Sequence, residues 1–201
     1  MVNCDIFISY RNTDGNGFTT RDAVMAESLY KALRARGYNP FFSKYSLDNI
    51  GRSDYITVIN NALDSARIFI AVGSSRENLN SRWVKREISV FSALMMREVE
   101  GSRTLLTYRS EDFPVDELPA ALADMQSYAD EKAVVRFVDI VLKNAEGFLN
   151  DGEHTEIIYS SGRTRTAPSI NSASGNKSVE QPELSIGDIL ENRYEIVKKN
   201  R

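Results

Sequence analysis

Cysteine and histidine are nearly missing from this 201-residue chain. Cys4 is the one cysteine, which excludes a disulfide framework and a thiolate metal site, and we expect it to lie in the first strand as a small apolar residue. His154 is the one histidine, so a histidine-based zinc site, a Ser-His-Asp triad and a Cys-His dyad are all disfavoured. No metal site is predicted, and any catalysis must use carboxylates, hydroxyls, arginine or lysine.

Long apolar runs and an excess of basic charge are missing as well. No run approaches the roughly 18 apolar residues of a membrane span, and the start, MVNCDIFISYR, lacks the apolar core of a secretory leader. The formal net charge is −3, which gives a nucleic-acid partner no electrostatic support. We therefore predict a cytoplasmic protein with neither a membrane nor a nucleic acid as partner.

The glycine-rich nucleotide motifs G-x-G-x-x-G and G-x-x-x-x-G-K-[ST] are absent, and the Gly-Asn-Gly at 15–17 is typical of a turn. A phosphate-accepting receiver domain is also disfavoured. It would need acidic residues after the first strand and a lysine after a late strand, whereas Asp5 lies inside the predicted strand and Thr-Tyr-Arg ends the fourth.

Short β-rich apolar segments alternate with amphipathic segments through the first 150 residues. The predicted strands are 4–10, 39–42, 67–73, 103–109 and 125–129. The predicted helices are 21–36, 56–66, 81–100 and 130–149. In the first of them, Val24, Leu29, Leu33 and small alanines recur at helical spacing. We place a loop at 74–80, Gly37 at the end of the first helix and Ser81 as the N-cap of the third. This alternation predicts an α/β fold, a flavodoxin-like, doubly wound, five-stranded parallel sheet with helices on both faces.

The composition changes after residue 150. Residues 1–150 form the predicted domain, and 151–182 are rich in Ser, Asn and Gly, which is typical of a flexible linker. The tail, 183–201, regains apolar spacing. Its IGDILENRYEIVKK resembles the lead-in to a Ser/Thr protein kinase domain, which would make the chain part of a longer protein; an independent C-terminal helix is the alternative.

In an open parallel sheet, ligands bind beyond the carboxyl ends of the strands. Four segments of this chain meet there: Tyr10-Arg11, the loop 43–55, Gly-Ser-Ser at 73–75 and the helix start with Trp83 and Glu87. The i, i+4 spacing places Trp83 and Glu87 on one helix face. From spacing alone, Trp83 packs on the sheet and Glu87 is solvated or paired with Arg82 or Arg86.

Four segments together resemble the TIR (Toll/interleukin-1 receptor) domain family over about residues 4–149. They are DIFISYR, SKYSLDNIGRSDY, LDSARIFIAVGSS and SRWVKREI. The last resembles the S-x-W-x-x-x-E pattern of the family's NAD-consuming branch. The resemblance implies the TIR fold and an NAD+ glycohydrolase, in which NAD+ is the substrate and no cofactor is needed.

The resemblance also implies roles for individual residues. Glu87 would be the catalytic carboxylate, Trp83 would wall the site, Arg11 would face the pyrophosphate or adenosine, and Tyr55 would stack on nicotinamide. Three further side chains would contact the substrate: Tyr10, Ser43 and Ser74. Many catalytic relatives have an acidic residue where this chain has Ser43-Lys44, so the resemblance does not carry over the ribose or nicotinamide contact made by that acid.

Catalytic TIR domains commonly complete their site by head-to-tail packing, so we expect a homo-oligomer formed through the loop 43–55. That expectation draws on the apolar and aromatic side chains of this loop: Tyr45, Leu47 and Ile50. The product would be ADP-ribose, a cyclic variant or a base-exchanged dinucleotide, in defence or signalling, and the first box favours a bacterial origin. A non-catalytic adaptor that acts through TIR–TIR contacts is the alternative.

Overall fold

The strands lie in the order β2-β1-β3-β4-β5 in a computed structural model that describes residues 3–46, 55–99 and 101–150, without the side chains of 45, 46 and 144–150. All neighbouring strands pair in parallel. The strands are β1 (Ile6–Tyr10), β2 (Pro40–Phe41), β3 (Ile68–Gly73), β4 (Thr104–Arg109) and β5 (Gln126–Tyr128). The α-helices are α1 (Arg21–Ala35), α2 (Ser43–Ser46), α3 (Tyr55–Ser65), α4 (Arg76–Leu79), α5 (Arg82–Arg97), α6 (Ala120–Ala123) and α7 (Glu131–Asn150).

Both faces of the sheet are covered by helices. Phe7 and Phe69 stack with centroids 5.5 Å apart on the face that carries α3 and α5. Ile8 and Ile70 point to the other face, against α1 and α7. All residues of β1, β2 and β3 and the four central residues of β4 are buried, as the inner strands of a doubly wound parallel sheet require, whereas β5 at the edge is partly exposed. The predicted α/β fold is therefore confirmed.

On the face that carries α5, the row of side chains two residues closer to the carboxyl ends of the strands is small or bears hydroxyl groups. Ser9, Ala71, Thr107 and Ser127 are neighbours in register across β1, β3, β4 and β5. The pleat before it carries Phe7, Phe69 and Leu105 on the same face. The change leaves room over this row for side chains delivered by α5.

The first helix begins and ends as its sequence predicts. The Oγ1 of Thr20 accepts a hydrogen bond from the Ala23 N–H at 3.2 Å, which caps the helix. Gly37 follows the last turn at φ +88°, where its N–H bonds the Arg34 carbonyl at 3.0 Å. The prediction for Val24 was wrong: it is 63% exposed, and Ala23 and Ala26 join the leucines in the core.

Three further expectations need correction. Cys4 precedes β1 and is not part of it; its Sγ bonds the Ala62 carbonyl at 3.3 Å. The segment predicted as a loop at 74–80 contains α4, capped by Ser75, whose Oγ accepts from the Asn78 N–H at 3.2 Å. Ser81 is at the N-cap of α5, but its side chain makes no capping hydrogen bond.

Several predictions fall outside the described residues. They concern the linker 151–182 with His154, the tail 183–201 and residues 47–54 of the loop predicted at 43–55. The described ends of that segment are not loop: residues 43–46 form α2, and Tyr55 begins α3. Among the helices that are described, none combines the length and apolar character needed to cross a membrane.

Candidate functional site

The strand order places β1 next to β3, so the chain leaves these neighbouring strands toward opposite faces of the sheet. In flavodoxin-like sheets this point of reversal opens a crevice at the carboxyl ends of the two strands. Here Tyr10 of β1 and Val72 of β3 are paired at that edge. The segments that follow, Arg11–Thr20 and Ser74–Ser81, therefore flank the crevice.

Glu87 lies in the core-facing stripe of α5, which is otherwise apolar. The buried positions of the helix are Val84, Glu87, Ile88 and Phe91. Glu87 is 7% exposed, and its Oε2 accepts a hydrogen bond of 2.6 Å from the Ser9 Oγ. The interpretation of Glu87 as a solvated surface residue is therefore wrong. A carboxyl group in a helix stripe that packing would fill with an apolar side chain is costly to bury, which favours a functional role.

Trp83 is half-buried one turn before Glu87. The Arg86 guanidinium carbon lies 5.6 Å from the centroid of its ring, and Arg86 Nη2 donates to Asn60 Oδ1 at 2.9 Å. This contact links the start of α5 to α3. It directs the Arg86 side chain along the indole and toward Asn60.

A second buried carboxyl group, Asp22, lies on the α1 side of the crevice. Asp22 is 0% exposed in the first turn of α1. Its Oδ1 accepts hydrogen bonds from the Ser74 N–H at 2.7 Å and from the Ser74 hydroxyl at 2.5 Å. Burial raises the pKa of Asp22 above its ordinary value, although the hydrogen bonds from Ser74, the nearby Asn78 amide and the charge of Arg11 oppose this shift.

Arg11 connects the end of β1 to α4. Its Nε donates to the Thr13 carbonyl at 3.0 Å, and its Nη1 donates to Glu77 Oε1 at 2.8 Å and to Asn78 Oδ1 at 3.2 Å. The Arg11 side chain is 17% exposed and that of Glu77 is 83% exposed. A cation is thus held at the mouth of the crevice by a carboxylate from the surface.

A family model described as the TIR domain matches residues 6–140. The chain belongs to the TIR domain family. No curated protein matches the chain.

Solved structures with a similar fold include two TIR proteins from animals. A metazoan TIR-STING receptor from C. gigas is 17% identical with a TM-score of 0.49; the match covers 73% of this chain and 45% of the receptor chain. The present chain thus spans less than half the length of that receptor. The TIR domain of the Toll-related receptor TRR-2 from Hydra magnipapillata is 12% identical with a TM-score of 0.40, over 74% of this chain and 100% of that domain.

The remaining predicted residues of the TIR domain divide between the two faces of its sheet. Tyr55 begins α3 and is buried with Val84 on the Glu87 face. Tyr10 is buried on the opposite face, where its ring stacks on Phe42 at 5.0 Å and its hydroxyl lies 3.0 Å from the Ser43 Oγ. Tyr55 therefore shares a face of the sheet with Glu87, while Tyr10 and Ser43 pair on the opposite face.

Ser43 and Lys44 occupy the position at which many catalytic relatives are expected to have an acid. They begin the short helix α2, and the Lys44 Nζ forms an ion pair of 2.7 Å with Glu27 of α1. No group of three or more His, Cys, Asp or Glu side chains within residues 3–46, 55–99 and 101–150 is arranged to hold a metal ion.

Ser9 and Asp22 are the site residues that sequence reasoning missed. Alternation along β1 gives a signal for Ser9, because it shares a face with Phe7 and therefore with α5. Asp22 gives no such signal, because an acid in the first turn of a helix is common and needs no further explanation.

Proposed function

We propose that this TIR domain cleaves the bond between nicotinamide and ribose in NAD+, releasing nicotinamide and ADP-ribose or a cyclic form of ADP-ribose. The observation that carries the proposal is the Glu87 carboxyl group, buried in the apolar stripe of α5 and bonded by Ser9 at 2.6 Å beside the β1–β3 crevice. We place this activity in the cytoplasm, in a defence or signalling role.

The reaction needs one well-placed carboxylate. As the bond breaks, positive charge develops on the ribose, while the pyridinium leaves as neutral nicotinamide, so no acid need protonate the leaving group. A water molecule then bonds to the ribose carbon and loses a proton, which gives ADP-ribose, or a nitrogen of the adenine ring bonds there, which gives the cyclic form. A carboxylate in a water-poor site stabilises that charge far better than it could in bulk solvent. The bond from Ser9 would hold the Glu87 carboxyl group in one orientation beside the ribose.

The neighbouring residues fit supporting roles. Trp83 would form one wall of the site and shield the ribose from bulk solvent, and Tyr55 would lie nearest the nicotinamide. Arg11 would bind the pyrophosphate, whose charge would replace that of Glu77. Ser74 would approach the substrate from the end of β3. Tyr10 and Ser43 would act through the shape of the opposite wall.

We further propose that activity depends on self-association through the loop 43–55. Heterologous packing of identical copies can complete a site that one copy leaves open, and it can propagate into filaments. Turnover per molecule should then rise with protein concentration. A specific activity that stays constant from dilute to concentrated protein would contradict this part of the proposal.

The direct test is incubation of concentrated protein with NAD+, with and without a crowding agent, followed by chromatography of nicotinamide and the ADP-ribose products. Glu87→Gln should lower turnover by about 100-fold or more, because it keeps the side-chain shape and removes the charge. Glu117→Gln, at an exposed position before α6, is the matched control and should retain wild-type turnover.

The alternative function is an adaptor that recruits other TIR domains. Exposed apolar side chains favour it, including Phe18 at 71% and Met96 at 86% exposure. The fold supports both functions. Absence of nicotinamide release at every concentration, together with saturable binding of a second TIR domain that survives Glu87→Gln, would establish the adaptor.

A further inference from the structure

Asp22 joins three segments around the crevice. Its carboxyl group lies in α1, its hydrogen bonds reach Ser74 at the end of β3, and the Asn78 Nδ2 of α4 lies 3.4 Å from the same Ser74 hydroxyl. Asn78 in turn accepts a bond from Arg11. One buried side chain thus fixes the segment that carries Ser74 and, through Asn78, the partner of Arg11.

Burying Asp22 in this way destabilises the fold. Asp22 Oδ2 is buried and has no hydrogen-bond partner among the residues that the structure describes. The opposing positive charge is that of Arg11, which is shared with Glu77. Burying a neutral amide or an apolar side chain at this position would cost less free energy, because an incompletely paired carboxylate retains much of its desolvation cost.

A buried group that costs stability and orders a loop at a crevice points to a role in the site. We propose that Asp22 is a positioning residue that holds Ser74 and the start of α4 in the geometry that binds the substrate, at a cost to the stability of the fold. This inference rests on the proposed cleavage of NAD+, in which Ser74 and Arg11 face the dinucleotide. Asp22 itself is fully buried and does not touch the substrate.

The test compares Asp22→Asn with the wild-type chain and with Asp116→Asn, an exposed matched control. Asparagine keeps the size of the side chain and an acceptor oxygen but loses the charge. Three quantities are measured: the thermal midpoint, hydrogen exchange of the Ser74 amide, and kcat and KM for NAD+. Asp22→Ala serves as a second variant, which removes the acceptor as well.

For Asp22→Asn we expect a higher thermal midpoint, because the cost of the buried charge is removed. The Ser74 amide should exchange about fivefold faster, since a charge-assisted hydrogen bond is roughly twice as strong as a neutral one. The value of kcat/KM should fall about tenfold, mainly through KM, as expected for lost positioning. Asp22→Ala should lower kcat/KM further, and Asp116→Asn should change none of the three quantities.

Two outcomes overturn the inference. One is a lower midpoint for Asp22→Asn with unchanged kcat/KM, which would mark Asp22 as a structural residue only. The other is wild-type exchange at Ser74 in both variants. A failure of the proposed function can be told apart from a failure of this inference. If the wild-type chain never releases nicotinamide, the thermal midpoint and the hydrogen exchange of the Ser74 amide still decide whether Asp22 orders this segment at a cost to stability.

Discussion

Ser9 of β1 and Glu87 of α5 are 78 residues apart in sequence, and the Ser9 Oγ donates a 2.6 Å hydrogen bond to Glu87 Oε2. The bond is buried beside the carboxyl edge of the sheet. Because Ser9 belongs to the row of small and hydroxylic side chains, it leaves room for a carboxyl group above β1. The catalytic candidate of this TIR domain is thus oriented by the sheet itself.

Removing both partners of this bond should separate stability from activity. Ser9→Ala takes one donor from a buried carboxyl group and should lower the free energy of unfolding by about 1–3 kcal/mol. The double variant Ser9→Ala/Glu87→Leu should recover most of that loss, because Val84, Ile88 and Phe91 already make this stripe apolar. It should release no nicotinamide. Urea titration of the four members of the cycle measures the coupling; additive losses would show that the bond does not matter.

Trp83 should report the binding of NAD+. It is the one tryptophan of the chain, and it is half-buried next to Glu87, so its fluorescence is a local signal. We expect NAD+ to change the emission of Glu87→Gln saturably, because this variant binds the dinucleotide without consuming it. Lys85→Gln, exposed on the same helix, should give the same titration curve when combined with Glu87→Gln. An emission spectrum insensitive to NAD+ would place the dinucleotide away from Trp83.

The ion pair of Arg11 with Glu77 should compete with the substrate. An exposed pair contributes about 0–1 kcal/mol to stability, so Glu77→Gln should leave the thermal midpoint almost unchanged. It should lower KM for NAD+ a few-fold, since the Arg11 guanidinium becomes available to phosphate, whereas Arg11→Ala should raise KM. Initial rates at low and high salt measure both effects. The KM values of Glu77→Gln and of the wild-type chain should converge at high salt, because salt screens the charge of Glu77. Equal KM values for all three proteins at low salt would exclude Arg11 from the phosphate site.

Asp22 should make stability depend on pH. Burial raises its pKa in the folded chain, so between the ordinary carboxyl pKa and the raised value the folded state binds more protons than the unfolded state. The free energy of unfolding contributed by Asp22 is therefore fully present at acid pH and is lost as the pH rises through the folded-state pKa.

Asp22→Asn lacks this titration, and the stability of the variant relative to the wild-type chain should increase across the same pH window. Urea titrations from pH 4 to pH 8 measure the difference. A stability of Asp22→Asn relative to the wild-type chain that stays constant or falls as the pH rises would contradict the assignment.

The fold could be predicted because its signals are periodic. Apolar runs such as Ile68–Val72 and amphipathic repeats such as those of α5 differ in period, and a parallel sheet follows from their alternation. The prediction failed for α4, because four polar-rich residues have no period to detect. It failed for Val24 because the helix turned its alanines, and not its valine, toward the sheet.

The site was only partly predictable. The motif around Trp83 and Glu87 indicates the carboxyl group, but spacing alone placed it in solvent, and its burial among Val84, Ile88 and Phe91 became clear only in the structure. Tyr10 was predicted to contact the substrate beside Arg11, yet strand alternation places its ring on the face of the sheet opposite Glu87. The bond of Asp22 to Ser74 joins residues 52 positions apart, and no local pattern encodes such a contact.

The pairing of β1 with β3 determines how the geometry of the site breaks down when the fold is weakened. The bonds from Ser9 to Glu87 and from Ser74 to Asp22 both close across this single strand pair, over long stretches of sequence. A change that weakens the pairing, even one far from either carboxyl group, would release both walls of the crevice at once. Inactivation of this domain by mild denaturant should then be cooperative, with one midpoint for both carboxyl groups.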